Sequence, residues 1–99
     1  MENKFAPNLS RSCRIHILGI GGAGMSAIAE VLVSMGHSVT GSDLKESAGL
    51  ERLRALGITV TVGHDAKNIG DVEFVARSTA VLDSNVECKE ALERDRFLY

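Results

Sequence analysis

Residues 14–25 read RIHILGIGGAGM, and how this stretch folds decides the rest of the chain. The apolar run from Ile15 to Leu18 is of strand type and stops at Gly19. A glycine-rich turn follows, and a helical pattern begins near Ala23. Gly19, Gly21 and Gly24 have the G-x-G-x-x-G spacing. In that motif the first glycine permits a tight turn off the strand, and the second lets backbone approach a phosphate with no Cβ in the way. The third lets helix and strand pack closely. The helix start then offers unpaired N–H groups and the positive end of its dipole to an anion.

Outward from this turn, strand-type and helical patterns alternate. The expected strands are 14–18, 38–42, 58–62 and 73–77, and the expected helices are 23–35, 48–56 and 85–94. Met25, Ile28, Leu32 and Met35 recur at helical spacing as the buried stripe of the first helix, with Gly36 as its stop. Leu50, Leu53 and Leu56 do the same for the second, capped by Ser47 and ended by Gly57. Ser84 is the expected cap of the third helix. Residues 58–62 alternate strictly, which suits a strand near a sheet edge with one wetter face. His16 interrupts the first strand and reads as a half-buried histidine with a backbone partner. Arg77 should pack its stem and send its head to solvent or an acid. Residues 97–99 read as the start of another strand, and residues 1–13 as a flexible leader. Alternation of this kind predicts an α/β fold. It is an open parallel sheet of order about 3-2-1-4-5 with helices on both faces, in a single truncated domain.

In such sheets ligands sit at the carboxyl ends of the strands. Asp43 ends the second strand nineteen positions after Gly24, near the offset of a ribose-binding carboxylate; it serves that role or simply ends the strand. His64 follows the third strand, as a ligand contact or part of a turn. Ser78 and Thr79 follow the fourth, where their hydroxyls donate to phosphate or ribose or tie up their own loop.

Composition narrows the classes. The 99 residues hold 11 basic and 13 acidic side chains, a net charge of −2, with one Tyr and three Phe. That balance gives no electrostatic case for nucleic acid or an acidic membrane, and no base-stacking surface. No apolar run approaches the roughly 20 residues of a membrane helix. The polar first residues lack a secretory core, and Cys13 and Cys88 lack metal or redox spacing, so a cytoplasmic protein with reduced thiols is expected.

The longer string is more specific than the glycine motif. HILGIGGAGMSAIAEVL, GHSVTGSDLKES, ERLRALGITVTVGHD and RSTAV together resemble the N-terminal domain of the Mur ligases. Within that family the likeness is to the branch that joins L-alanine to UDP-N-acetylmuramate. The resemblance implies a Rossmann-like module that holds UDP rather than NAD. It implies that Gly19, Gly21, Gly22, Ala23, Gly24 and Met25 cradle the diphosphate, that Ser42, Asp43 and His64 lie near the uridine, and that Ser78, Thr79 and Ala80 complete the pocket. It further implies ATP-dependent amide formation in peptidoglycan synthesis, with ATP and Mg2+ sites outside this chain, on an ATP-binding central domain followed by an amino-acid-binding C-terminal domain, both absent here. The chain has no G-x-x-x-x-G-K-[ST], so this fragment is expected to bind nucleotide, to use no cofactor of its own and to catalyse nothing alone. Two alternatives stay open: the tripeptide-recycling ligase of the same family, and an NAD-binding domain of a dehydrogenase or regulatory module.

Overall fold

A computed structural model describes residues 11–96. The elements are β1 (Arg14–Leu18), α1 (Ala23–Ser34), β2 (Ser38–Asp43), α2 (Ala48–Ala55), β3 (Thr59–Val62), a 3-10 turn η1 (Ala66–Asn68), β4 (Phe74–Arg77) and α3 (Val86–Glu93). The strands pair in the order β3-β2-β1-β4, and every pairing is parallel. The expected order therefore holds for its first four positions. Residues 97–99, where a fifth strand was expected, lie outside the described residues. Just before them the Arg96 carbonyl accepts from the Val75 N–H of β4.

β1 is covered on both faces, as its unbroken apolar run requires. Ile15 and Ile17 point into a core shared with Ala29 and Leu32 of α1 and Leu50 and Leu53 of α2. Leu18 points to the other face, onto Ile69, Val75, Cys88 and Ala91. His16 shares that second face by strand alternation, and it is fully buried rather than half-buried. Its partners are side chains, Thr40 and Glu87, and not backbone.

The helix stripes are narrower than their spacing suggested. Ala29 and Leu32 carry the buried face of α1, whereas Ile28 and Met35 are about half exposed, as is Leu56 beyond the end of α2. Each helix lies on only one face of the sheet, so residues at the margin of a stripe stay in water. Ser47 caps α2 as expected, accepting from Leu50 N–H. The cap of α3 is Asn85, which accepts from Glu87 N–H, in place of Ser84. β3 is an edge strand of four residues whose last apolar residue, Val62, is exposed. Cys13, assigned to the leader, is 1% exposed and its N–H donates to His37 Nδ1. Ser12 donates to the Gly36 carbonyl and Arg11 pairs with Glu73. The end of that segment is therefore fastened to the domain.

The glycine turn leans on β2 at a position the motif does not include. A Cβ added at Gly41 would stand 2.8 Å from Ile20 Cβ and Cγ2, and Ile20 is fully buried. Gly41→Ala should lower stability by about 2 kcal/mol through overpacking, read as a lower urea midpoint at unchanged slope. An unchanged midpoint would show that Ile20 is free to move.

Candidate functional site

The turn after β1 is built from backbone. Gly19, at φ +74°, and Ile20 both donate their N–H to the Ser42 carbonyl at the end of β2. Only glycine takes that φ without strain, and here Ser78 Cβ would lie 3.1 Å from an added Cβ. Gly22 N–H closes the turn on the Gly19 carbonyl. Asp43 staples the turn to β2. Its Oδ2 accepts from Gly21 N–H at 2.8 Å and its Oδ1 from Leu44 N–H at 2.7 Å. The Gly21 amide, expected to meet a phosphate, is thus already held by a carboxylate.

The donors left for an anion lie one step further along. The first helical bond of α1 runs from Ser26 N–H to the Gly22 carbonyl, so the amides of Ala23, Gly24 and Met25 precede it. Gly22 is the N-cap, with no side-chain cap and no acid in the first turn. Gly22 and Gly24 are exposed, and a Cβ at Gly24 would meet no atom within 4 Å.

A cleft of about 610 Å³ opens at the carboxyl edge of the sheet. Gly19, Gly21 and Gly22 line it, facing Asp43 from β2, His64 from β3, and Ser78 and Ala80 from the loop after β4. Seven expected site residues thus meet around one space. Thr79 is exposed without lining it, and Ala23, Gly24 and Met25 continue the helix start beside it. Ser42 is elsewhere: it is 0% exposed and its hydroxyl donates inward to Glu87. Among the lining residues Lys45 supplies the positive charge, and Leu44 and Leu82 form exposed apolar rims. Sequence reasoning missed all three. Lys45 lay within the quoted string GSDLKES, two positions past Asp43.

Behind the cleft stands the largest omission, Glu87. Its side chain is 0% exposed. Oε1 accepts from His16 Nε2 and Ser42 Oγ, both at 2.7 Å. Oε2 accepts from His64 Nδ1 at 3.1 Å, and from Asp65 N–H and Asn68 Nδ2 at 3.0 Å. Burial pushes this carboxyl up, but the bonds from His16, Asn68, Ser42 and the Asp65 amide outweigh it and hold the group at about 2, below its ordinary 4.5. A depressed carboxylate stabilises the fold above its unfolded value, and that contribution is lost as pH falls through the folded value. We expect about 3 kcal/mol of stability to disappear between roughly pH 4.5 and pH 2. Urea melts across that range should show the slope, and Glu87→Gln should flatten it. Hydrogen bonds from Arg54 and Arg11 also lower Glu46 and Glu73, which lie nearer the surface, so the variant isolates the buried group.

With this geometry in place, similarity to known proteins can be weighed. The sequence pattern described as Mur ligase family, catalytic domain, matches residues 14–96. A UDP-N-acetylmuramate–L-alanine ligase of Rubrobacter xylanophilus is 54% identical over 81 residues, covering 82% of this chain and 18% of that protein. The structure of UDP-N-acetylmuramate–alanine ligase from Thermotoga maritima superposes with a TM-score of 0.81 at 42% identity, over 86% of this chain and 20% of the other. A murein peptide ligase from Psychrobacter arcticus gives 0.80 at 27% identity, over 87% of this chain and 18% of the other. The chain thus spans about a fifth of the length of the relatives it matches.

Proposed function

Because the chain belongs to the Mur ligase family, we propose that its cleft holds the UDP part of UDP-N-acetylmuramate in a ligase that adds L-alanine to that sugar. The observation that carries this reading is the bare start of α1, uncapped and without acid, facing a cleft whose cation is Lys45. That arrangement suits a diphosphate. Asp43 and His64, at the ends of β2 and β3, are placed for the nucleoside. Ser78 and Ala80 close the far wall, beside Thr79. Identity of 54% to an alanine-adding relative against 27% to a murein peptide ligase favours the first substrate over the recycled tripeptide.

In the whole ligase, ATP would activate the muramoyl carboxylate and Mg2+ would hold its phosphates. The residues here do not fit either group. The sequence has no P-loop lysine motif, and the described residues contain no group of three or more His, Cys, Asp or Glu able to hold a metal. Those steps belong to central and C-terminal domains, and this chain supplies the grip on the nucleotide. Ligation by such an enzyme would serve peptidoglycan synthesis in the cytoplasm. No helix among the described residues is long and apolar enough to cross a membrane.

Calorimetry of the chain against UDP-N-acetylmuramate, UDP and NAD tests the reading. Both uridine ligands should bind and NAD should not. A preference for NAD would replace the ligase assignment with a dehydrogenase-type one.

A further inference from the structure

His64 stands between the cleft and the buried carboxylate. Its Nδ1 faces two oxygens, Ser42 Oγ and Glu87 Oε2, each at 3.1 Å. Ser42 spends its only proton on Glu87 Oε1, and an ionised carboxylate only accepts. Both neighbours of Nδ1 are therefore acceptors, so Nδ1 carries the proton. The other ring nitrogen, Nε2, has no hydrogen-bond partner among the described residues. It is not sealed off either, because His37 Nε2 is the buried unpartnered side-chain atom found among the described residues. In the neutral ring, Nε2 then offers a lone pair toward the cleft that His64 lines.

We propose that Glu87 is a positioning residue that fixes His64 as the Nδ1–H tautomer, so that Nε2 reads a hydrogen-bond donor on the ligand and not a phosphate. Glu87 does not line the cleft and acts through the ring. The donor is an imide N–H of a pyrimidine base or a ribose hydroxyl; phosphate oxygens, which only accept, are left to the helix start and Lys45. The ligand half of this inference rests on the UDP reading, whereas the tautomer half does not.

Nitrogen-15 correlation spectra of the imidazole rings, taken on the 99-residue chain, test the tautomer. The wild type should show His64 protonated on Nδ1 and His16 on Nε2. Ser42→Ala should leave His64 so, since Glu87 still accepts from it. Glu87→Gln should change the His16 ring and leave His64 protonated on Nδ1 while the fold persists. Asp65 N–H and Asn68 Nδ2 draw the Gln oxygen to the Oε2 position, so its NH2 group faces His16 and Ser42. His16 must then accept on Nε2 and donate from Nδ1 to Thr40, whose hydroxyl can take either role. His64 Nδ1 still faces the Gln oxygen at that position and keeps its proton, whereas Glu87→Ala, read in urea-free buffer, leaves Ser42 free to donate to Nδ1 and should shift His64 to the Nε2–H form. A wild-type His64 protonated on Nε2, a His64 released by Ser42→Ala, or one unmoved by Glu87→Ala would each overturn the proposal.

Binding of UDP, 2′-deoxy-UDP, 3′-deoxy-UDP and N3-methyl-UDP tests the lone pair. Whichever analogue lacks the donor should bind about five- to tenfold more weakly, the value of one hydrogen bond. Equal affinity for all four would show that Nε2 reads nothing. Failure of UDP itself to bind, with the tautomers as stated, would remove the nucleotide reading and its donor while leaving the role of Glu87 in fixing the ring.

Discussion

Glu87→Ala should cost the domain about 4 kcal/mol, the largest loss expected of a single side chain here. The substitution strands two buried donors, His16 Nε2 and Ser42 Oγ, and two part-buried ones, the Asp65 amide and Asn68 Nδ2. Leaving such groups unpaired costs more than the bonds themselves contribute, since each was desolvated to make them. A domain of this size has a stability of roughly 5–15 kcal/mol, so the variant should sit near its unfolding midpoint in mild urea. Glu87→Gln, which keeps an oxygen for Asp65 and Asn68, should lose about 1–2 kcal/mol. Chemical denaturation at neutral pH measures both. Equal losses for Ala and Gln would mean that the negative charge, not the set of acceptors, holds the network.

Gly22→Asp should move stability and binding in opposite directions. Gly22 has φ −65° and ψ 147°, which any residue adopts, and an added Cβ would meet only the Gly19 carbonyl at 3.4 Å. Asp is a better N-cap than Gly and complements the helix dipole, so the fold should gain a few tenths to about 1 kcal/mol. The same carboxylate would occupy the amides proposed for the diphosphate. Like charges about 4 Å apart repel by roughly 1–4 kcal/mol depending on exposure, which is at least about a fivefold loss of UDP affinity. Gly22→Asn, with a similar cap and no charge, should retain most of the binding. A Gly22→Asp chain that binds UDP normally would place the phosphates somewhere other than the start of α1.

The parallel sheet and its order were legible because their determinants are local. Strand runs, helix stops at Gly36 and Gly57, and the Ser47 cap each act within a few residues. The carboxyl edge of the sheet follows from that order, and Asp43, His64 and Ser78, which line the cleft there, were named for this reason, whereas Ala80 came from the resemblance alone. What pattern reading could not reach is pairing across the chain. Ser42 and Asp43 are adjacent and alternate in direction, so one is sealed against Glu87 while the other borders the cleft. Glu87 carries no mark in the sequence beyond its place in the first turn of a short helix. Only the approach of α3 to the face of β1 that carries His16 turns it inward. Gly41 was silent too, because its lack of a side chain serves Ile20, a neighbour in space from an earlier segment. The exposed Ile28 and Met35 were overread for the converse reason: helical spacing gives a direction, and the width of the covered face depends on what packs there.

The partners of Glu87 run from His16 to Asn68, and Glu87 itself lies on the last helix described. A nascent chain leaving the ribosome presents those donors long before their acceptor exists. His16 and Ser42 would have to enter an apolar interior unpaired, so the earlier elements should stay loose until residue 87 has emerged and α3 docks. Synthesis and maturation of the cleft are therefore tied to one late event, and translation stalled upstream of it should yield a chain with its glycine turn but no formed cleft.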